Sequence, residues 1–269
     1  MPEDETGPGF RMTIGGDRSE VARVNAAFAE FADAHALPAS VRRSMNVVLD
    51  ELLTNTSVYG FAGREGGRGG GEVTVEAELR TDRVSVTLTD DGRPFDPFGV
   101  AAPDTALPVE ERRIGGLGIH LVRRMMDEVS YHRRADRNVV VLTKLLTGGR
   151  TADQRGGRFM EITTRTQQDV TIVAFGGNLD SNTSPQAQQA IDGILAGGGR
   201  KMVVDFTALD YISSAGLRVL LGTAKRLRGA GCALRLFGLN ETVREVFQIS
   251  GFSTILAVFA TEADALKGL

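Results

Sequence analysis

The hydrophobic pattern of the 269-residue chain changes slightly past its midpoint, and this change constrains the fold more than any other feature. The stretch LLTGGRTADQRGGRF, residues 145–159, is rich in Gly, Arg and Thr and has no hydrophobic periodicity. Such a composition is typical of a boundary between domains. The sequence therefore predicts two domains, at residues 9–147 and 159–269, with a linker at residues 148–158.

The first half combines helical and strand patterns. SEVARVNAAFAEFADAHAL and PASVRRSMNVVLDELLTNTSVYGF have helical spacing, with Ser19 expected to cap the first helix and Pro38 to open the second. EVTVEAELRT and RVSVTLTDDG alternate apolar and polar residues, which predicts antiparallel strands joined near Asp82. A glycine-rich turn and helix over IGGLGIHLVRRMMDEVSYHR and a strand over NVVVLTKLL follow. We expect an α+β sandwich, with helices on one antiparallel sheet.

The second half alternates short strand and helix patterns. Strands are predicted over DVTIVAFGG, KMVVDFTAL and CALRLFGL, and helices over SPQAQQAIDGILAGG, SSAGLRVLLGTAKRLRGAG and NETVREVFQISGF. Such alternation predicts mostly parallel strands with helices packed against them. The expected fold class of the chain is therefore α/β.

Charge and cysteine content narrow the partners and the compartment. The net charge is -3, and the 31 basic and 34 acidic residues are well mixed, so no basic stripe suggests a nucleic acid partner. Cys232 is the single cysteine, which excludes a disulfide framework within the chain and a cysteine-based metal site. The N-terminus is acidic, and no run of about 18 apolar residues occurs. We expect a cytoplasmic protein without membrane contact.

Two polar residues of the second predicted helix are suited to phosphate chemistry. Glu51 and Asn55 are four residues apart and therefore project from one helix face. A carboxylate can deprotonate a nucleophile, and an amide oxygen can hold Mg²⁺. The alternative is that the two residues only belong to the solvated face of an amphipathic helix.

Two glycine-containing turns follow. Asp90 stands at the end of a predicted strand with Gly92 just after it, so its carboxylate can reach the amino group of a base above a close backbone turn. Gly115, Gly116 and Gly118 precede an amphipathic helix, where backbone N–H groups can approach phosphates. Each feature alone is also typical of an ordinary turn. Together, and in this order, they are more specific than any one of them.

In this order the motifs resemble those of the GHKL ATPases, a group that includes gyrase, the ninety-kilodalton heat-shock chaperone and histidine kinases. ELLTN resembles the N box, DDG the first glycine box and GGLGIHLV the second. The short lid, the segment MMDEVSY and the small size resemble the anti-sigma-factor serine kinases in particular. The resemblance covers residues 10–146 and implies the GHKL (Bergerat) α+β sandwich.

The resemblance also implies roles for individual residues. Asn55 would ligate Mg²⁺, and Glu51 would be the general base for the attacking hydroxyl. Asp90 would bind the adenine amino group of ATP, and Gly92 would permit close approach of the base. The residues that would wrap the phosphates or neutralise their charge are Gly115, Gly116, Gly118, Arg112 and Arg113.

The second half contains VVDFTALDYISSAGLRVLL, which resembles the STAS domain of anti-sigma-factor antagonists. The resemblance covers residues 158–267 and implies a STAS α/β domain. Because Gly216 aligns with the glycine of the family motif, Ser214 is implied as the phosphoacceptor. Ser213 stands where many antagonists have Asp, so phosphorylation could also fall on Ser213. The alternative is a structural role, in which Ser213 caps the following helix.

Together the two resemblances imply a partner-switching regulator, in which an ATP- and Mg²⁺-dependent protein-serine kinase is fused to an antagonist module. The expected partners are a sigma factor or equivalent regulatory target, a stand-alone antagonist and a serine phosphatase. Contact between kinase and antagonist is expected within one chain or in a homodimer. The alternative is a non-catalytic switch, in which ATP only sets the conformation of a binding surface.

Overall fold

The computed structural model describes residues 7–62, 71–99, 117–146, 160–199 and 201–269. The chain divides into two compact units, and each sheet of the described residues has five strands. The predicted linker, residues 148–158, lies outside the described residues.

The first sheet is antiparallel throughout, in the order β1-β2-β3-β5-β4. Its strands are β1 (Gly9–Gly15), β2 (Glu72–Leu79), β3 (Arg83–Asp90), β4 (Glu128–Arg134) and β5 (Arg137–Leu145). The α-helices in this half of the chain are α1 (Val21–Ala34), α2 (Ala39–Asn55) and α3 (Leu117–Met125).

Alternation along the strands explains the core of this sheet. Val84, Val86 and Leu88 of β3 are buried, whereas the polar residues between them are only half-buried. The backbone of Arg80 pairs with that of Arg83 across the turn between β2 and β3, as predicted for a hairpin near Asp82. The prediction of an α+β sandwich with one antiparallel sheet is confirmed.

The expected cap of α1 is wrong. A short 3₁₀ turn, Arg18–Glu20, precedes the helix, and the N–H of Ser19 donates to Asp17 Oδ1 at 2.8 Å. The Ser19 hydroxyl donates to the same oxygen at 2.9 Å, so Asp17 caps the turn. Asp is as good a capping residue as Ser, and here it stands two residues earlier.

The helix predicted through YHR is also too long. It ends at Met125, and the residues from Glu128 onwards form β4 instead. The N–H of Asp127 donates to the carbonyl of Thr143 at 3.0 Å, which joins this segment to β5. Pairing with β5 therefore overrides the helical spacing of the sequence.

The second sheet has the order β10-β9-β8-β7-β6. Its strands are β6 (Glu161–Gln167), β7 (Val170–Leu179), β8 (Lys201–Ile212), β9 (Leu234–Phe237) and β10 (Ala257–Phe259). The α-helices are α4 (Ser184–Ala196), α5 (Ser214–Gly229), α6 (Glu241–Ile249) and α7 (Glu262–Leu266). Strands β7 to β10 pair in parallel, as predicted, and β6 adds an antiparallel edge.

The central strand of this unit explains why its connections carry helices. Met202, Val203 and Val204 of β8 are all fully buried, which is the pattern of a parallel strand covered on both faces.

Among the described residues, no helix is both long enough and apolar enough to cross a membrane.

Candidate functional site

The first group of predicted site residues lies at the end of α2. Glu51 is buried, and Asn55, the last residue of the helix, is half-buried. A π-helical turn, Thr56–Gly60, continues from Asn55. The spacing of four residues places Glu51 and Asn55 on one face of α2, as predicted.

A second group forms a row across three strands. Asp90 at the end of β3 pairs with Asn138 at the start of β5, and Asn138 pairs with Arg133 of β4. Directly opposed residues in antiparallel strands have side chains close enough to interact. The antiparallel register therefore aligns a carboxylate, an amide and a guanidinium at one end of the sheet.

Hydrogen bonds fix the orientation of the Asp90 carboxylate. Its Oδ1 accepts from the N–H of Gly92 and from Asn138 Nδ2, both at 2.8 Å. Asn138 Oδ1 in turn accepts from Tyr131 Oη at 3.0 Å and Arg133 Nη1 at 2.9 Å. Among the described residues, no group hydrogen-bonds Asp90 Oδ2. Asp90 thus keeps one oxygen available as an acceptor.

The charge state of Asp90 reflects its burial. Burial raises the pKa of the Asp90 carboxyl above its ordinary value, because removal from water disfavours the charged form. The hydrogen bonds from Asn138 and Gly92 oppose this rise in pKa, since they favour the carboxylate. The nearby Arg133 also favours the charged form.

Gly92 brings the turn after β3 close to the end of α2. The N–H of Arg93 donates to the carbonyl of Gly60 at 3.0 Å. A Cβ on Gly92 would lie 2.6 Å from Asp90 Oδ1 and 3.1 Å from the Gly60 carbonyl oxygen. No other residue type fits without displacing the Asp90 carboxylate or the end of the π-helical turn.

The predicted phosphate-binding residues are only partly described. Gly118 lies in the first turn of α3 and is buried. The other four predicted residues lie outside the described residues and are Arg112, Arg113, Gly115 and Gly116.

The third group lies in the second unit, where β7 and β8 end side by side. Leu179 and Ile212 are partners in the parallel register, and each precedes a polar turn and a helix. Asp180 Oδ1 accepts from the backbone N–H groups of Asn182 and Thr183 at 2.9 and 3.1 Å, which closes the first turn. In open α/β sheets, ligands bind outside the carboxyl ends of the parallel strands.

The two serines at the start of α5 differ in their surroundings. Ser213 is fully buried, and its Oγ accepts from the N–H of Ala215 at 3.3 Å, so the predicted cap is confirmed. Ser214 is 7% exposed and is the first residue of the helix. Arg218, one turn further on, donates from Nη2 towards Ser214 Oγ at 3.4 Å.

Gly216 allows this helix start to pack against the strand ends. A Cβ on Gly216 would lie 2.7 Å from the Leu179 carbonyl oxygen and 2.7 Å from Ile212 Cγ1. The glycine of the family motif is therefore explained by steric fit to the ends of β7 and β8.

Comparison with known families matches each half separately. The family model of the histidine kinase-like ATPase domain matches residues 16–144. The family model of the STAS domain matches residues 161–265.

Individual relatives agree with these matches. The chain is 40% identical over 99 residues to BtrV of Bordetella bronchiseptica, named as an anti-sigma factor antagonist, over 37% of this chain and 85% of that protein. It is 30% identical over 105 residues to the anti-sigma-B factor antagonist of Listeria monocytogenes, over 39% of this chain and 91% of that protein. It is 33% identical over 107 residues to the serine-protein kinase RsbW of Listeria monocytogenes, over 38% of this chain and 64% of that protein.

The chain belongs to the STAS-domain family of anti-sigma factor antagonists. Its first half carries a histidine kinase-like ATPase domain, so the chain is a fusion of the two. The ATPase domain implies binding of ATP.

The residues of the ATPase domain fit an adenine base. Asp90 Oδ2 is an acceptor without a described partner, and a base amino group is a donor. The absence of a side chain at Gly92 leaves the backbone open to close approach.

Sequence reasoning missed the residues that orient Asp90. One carboxylate oxygen is held directly by Asn138, which in turn accepts from Arg133 and Tyr131. None of these three residues belongs to the sequence motifs by which the resemblance to the ATPases was identified. The only available signal was an Asn at the start of an otherwise apolar strand, NVVVL.

Proposed function

We propose that the chain is a partner-switching regulator, in which the ATPase domain transfers phosphate from ATP to a serine of a STAS domain. The observation that carries the proposal is the fusion itself. One half is similar to a serine-protein kinase and the other to anti-sigma factor antagonists. The chain thus joins a domain similar to a serine-protein kinase to one similar to anti-sigma factor antagonists, which supports phosphate transfer between the two classes.

The proposed nucleotide site begins at Asp90. Its Oδ2 would accept a hydrogen bond from the adenine amino group, while Asn138 and the N–H of Gly92 hold Oδ1 in place. A fixed acceptor binds with less loss of side-chain freedom than a mobile one. Hydrogen bonds to Oδ1 also favour the carboxylate, which is the stronger acceptor.

The proposed phosphate site uses α2 and the second glycine box. Asn55 would hold Mg²⁺, which neutralises charge on the phosphate oxygens during in-line transfer. The backbone of Gly115, Gly116 and Gly118 would wrap the phosphates, with Arg113 offsetting their charge.

In the proposed transfer the serine hydroxyl attacks the γ-phosphorus of ATP. A bond forms between serine Oγ and the γ-phosphorus, and the bond from the γ-phosphorus to the bridging oxygen breaks, so that ADP leaves. The hydroxyl proton goes to the Glu51 carboxylate, which acts as general base. The spacing of Glu51 and Asn55 on one helix face supports a shared site for base and metal.

We propose Ser214 as the acceptor within this STAS domain. Ser213 is fully buried, and its hydroxyl oxygen is engaged in capping α5, which supports the choice of Ser214. Phosphorylation adds about -1.5 to -2 charges at the helix start, where the helix dipole tolerates them. The fold would survive while a docked partner, such as a sigma-factor regulator or kinase surface, is released. A serine phosphatase would reset the switch.

Labelled ATP tests the proposal directly. The full chain is incubated with labelled ATP and Mg²⁺, and the label is mapped by mass spectrometry. We expect label on Ser214 of the wild type, none on Ser214→Ala, and at least a tenfold lower rate for Glu51→Gln. Ser213→Ala is the matched control and should keep the label. No label on this chain or on a supplied antagonist, with ATP bound, contradicts kinase activity.

A second candidate function is a non-catalytic switch, and the burial of Glu51 is the observation that favours it. Only 4% of Glu51 is exposed, so an attacking hydroxyl has little access to its carboxylate in this conformation. In that case ATP binding would change a docking surface without phosphate transfer. Unchanged partner binding in Glu51→Gln, together with loss of partner binding in Asp90→Asn, would distinguish this function from a kinase.

A further inference from the structure

An arginine side chain lies over the hydroxyl of Ser214. Arg218 is exposed on α5, four residues after Ser214, and residues at this spacing share a helix face. Its Nε donates to the Ser214 carbonyl at 3.2 Å, and its Nη2 lies 3.4 Å from Ser214 Oγ. Nε and Nη2 lie on one edge of the guanidinium, so the bond from Nε to the carbonyl directs Nη2 at the hydroxyl.

We propose that Arg218 binds the phosphoryl group once Ser214 is phosphorylated. A phosphoserine presents three strong acceptor oxygens and about -1.5 to -2 charges. A guanidinium offers a planar fork of donors that matches phosphate geometry and stays charged at every physiological pH. Arg218 is thus a positioning residue for the modified serine. This inference rests on the proposed function only in taking Ser214 as the acceptor.

The start of α5 itself offers limited capacity to bind the phosphate. Helix N-termini bind anions through backbone N–H groups that have no partner within the helix. Here the N–H of Ser213 already donates to the Leu179 carbonyl at 3.0 Å, and that of Ala215 donates to Ser213 Oγ. Backbone N–H groups carry no net charge, so a side-chain cation has the larger share in neutralising the phosphate.

Other charged groups also lie at this end of the sheet, and Asp210 of β8 is a carboxylate that, like Asp180, would raise the second pKa of a phosphoserine. Asp180 accepts from Tyr211 Oη at 3.2 Å and from its own turn. Arg244 of α6 donates to the Leu239 carbonyl at 2.9 Å. The side chain of Arg218 contacts Ser214 directly.

The pairing changes what phosphorylation presents to a partner. Before modification, the exposed guanidinium of Arg218 offers a positive charge beside the hydroxyl. After modification, the same guanidinium is bound to phosphate, so the surface loses a cation and gains a partly neutralised anion. A partner with a carboxylate opposite Arg218 would lose its ion pair on phosphorylation.

Phosphorus NMR on a chain with phosphoserine installed at position 214 by genetic code expansion tests the inference without any kinase activity. The second pKa of phosphoserine is ordinarily about 6. We expect the value in Arg218→Ala to lie about half a unit or more above that of the full wild-type chain, because the neighbouring cation favours the dianion. Asp180 and Asp210 are present in both chains and do not contribute to this difference. Arg218→Lys should fall between the two, since it keeps the charge but loses the fork.

Lys225→Ala is the matched control. Lys225 lies seven residues after Arg218 on the same helix face, about two turns further from Ser214. The second pKa of the phosphoserine should not move in this variant. Equal pKa values in wild type and Arg218→Ala, or an equal shift in Lys225→Ala, would overturn the inference.

The two proposals can fail separately. If ATP does not label Ser214 but the installed phosphoserine responds to Arg218→Ala, the kinase proposal fails and the role of Arg218 stands. If ATP labels Ser214 and the pKa of the phosphoserine does not respond to Arg218→Ala, the kinase proposal stands and the role of Arg218 fails. Because Arg218 is exposed, its substitution should leave the fold intact, and circular dichroism checks this.

Discussion

Asp90 holds a carboxylate where burial disfavours its charged form. Its raised pKa means that the free energy of unfolding falls as pH rises from 3.8, the ordinary Asp value, through the pKa of the folded state. Above the pKa of the folded state, the decrease in the free energy of unfolding is complete and no longer changes with pH. We therefore predict that Asp90→Asn unfolds at neutral pH with a free energy equal to or above that of the wild type, because an amide oxygen can still accept from Gly92 and Asn138. Urea unfolding from acid to neutral pH measures this.

The same substitution should damage nucleotide binding. With the amide oxygen held by Gly92 and Asn138, the Asn NH₂ group would point where Asp90 Oδ2 now lies, and two donors would face each other. We expect ATP affinity to fall at least about tenfold by calorimetry. Lower stability with unchanged affinity would mean that Asp90 is a structural residue.

Substitution of Asn138 should differ from that of Asp90 in its effect on stability. Asn138→Ala removes the hydrogen bond to Asp90 and the acceptor shared by Tyr131 and Arg133. We predict a loss of about 1–3 kcal/mol in the free energy of unfolding, together with several-fold weaker ATP binding. Denaturant titration and calorimetry on the same sample check both. If stability falls and ATP affinity does not, Asn138 supports the sheet and not the nucleotide site.

At the scale of elements, the start of α5 depends on the absence of one side chain. A Cβ at Gly216 would overlap the Leu179 carbonyl, whereas a Cβ at Gly222 of the same helix meets nothing within 4 Å. We predict that Gly216→Ala lowers the free energy of unfolding by about 1–3 kcal/mol through overpacking. Gly222→Ala, the matched control, should raise it by up to about 1 kcal/mol through helix propensity. Equal effects in a thermal melt would contradict this account.

Sequence reasoning missed all four edge strands of the described sheets, β1, β4, β6 and β10, and the short helix α7. Strands β4 and β6 read EVSYHRR and EITTRTQ, and most of their residues are exposed or half-buried. An edge strand is held by backbone hydrogen bonds to its single neighbour, so it needs no alternating apolar face. The buried strands and most helix starts were predictable, because burial imposes a period and capping imposes a residue type. The start of α1 was not, since Asp17 and not Ser19 caps the turn before it. The α3 boundary was not, since pairing of β4 with β5 decides it.

At the scale of the whole chain, the sequence was sufficient to predict two domains of different class. Motifs in the sequence carry the site predictions at Glu51, Asn55, Asp90, Gly92 and Ser214, and these stay predictions. Asn138 and Arg218 were not predicted, because their roles arise from cross-strand register and from a helix turn closing on a serine. Contacts of that kind depend on the folded backbone and leave no fixed motif in the sequence.

Fusion of the two domains has a kinetic consequence for phosphate transfer. A short tether gives an effective concentration of about 1 mM, provided that one chain can bring the two domains together. At about 1 µM protein, transfer within a chain should therefore exceed transfer between chains by roughly a thousandfold. We predict that the first-order rate constant for labelling of Ser214 in the wild-type chain does not change with protein concentration.

Two full-length variants separate the routes. Ser214→Ala keeps the proposed base but has no acceptor, and Glu51→Gln keeps the acceptor but lacks the base. Mixed at about 1 µM, they gain label between chains beyond what Glu51→Gln forms alone. Once that background is subtracted, transfer within a chain predicts an added rate roughly a thousandfold below that of the wild type. A rate within a few-fold of the wild type would mean that Ser214 is phosphorylated by a second copy. The tether would then serve to hold the complex together and would not deliver the substrate.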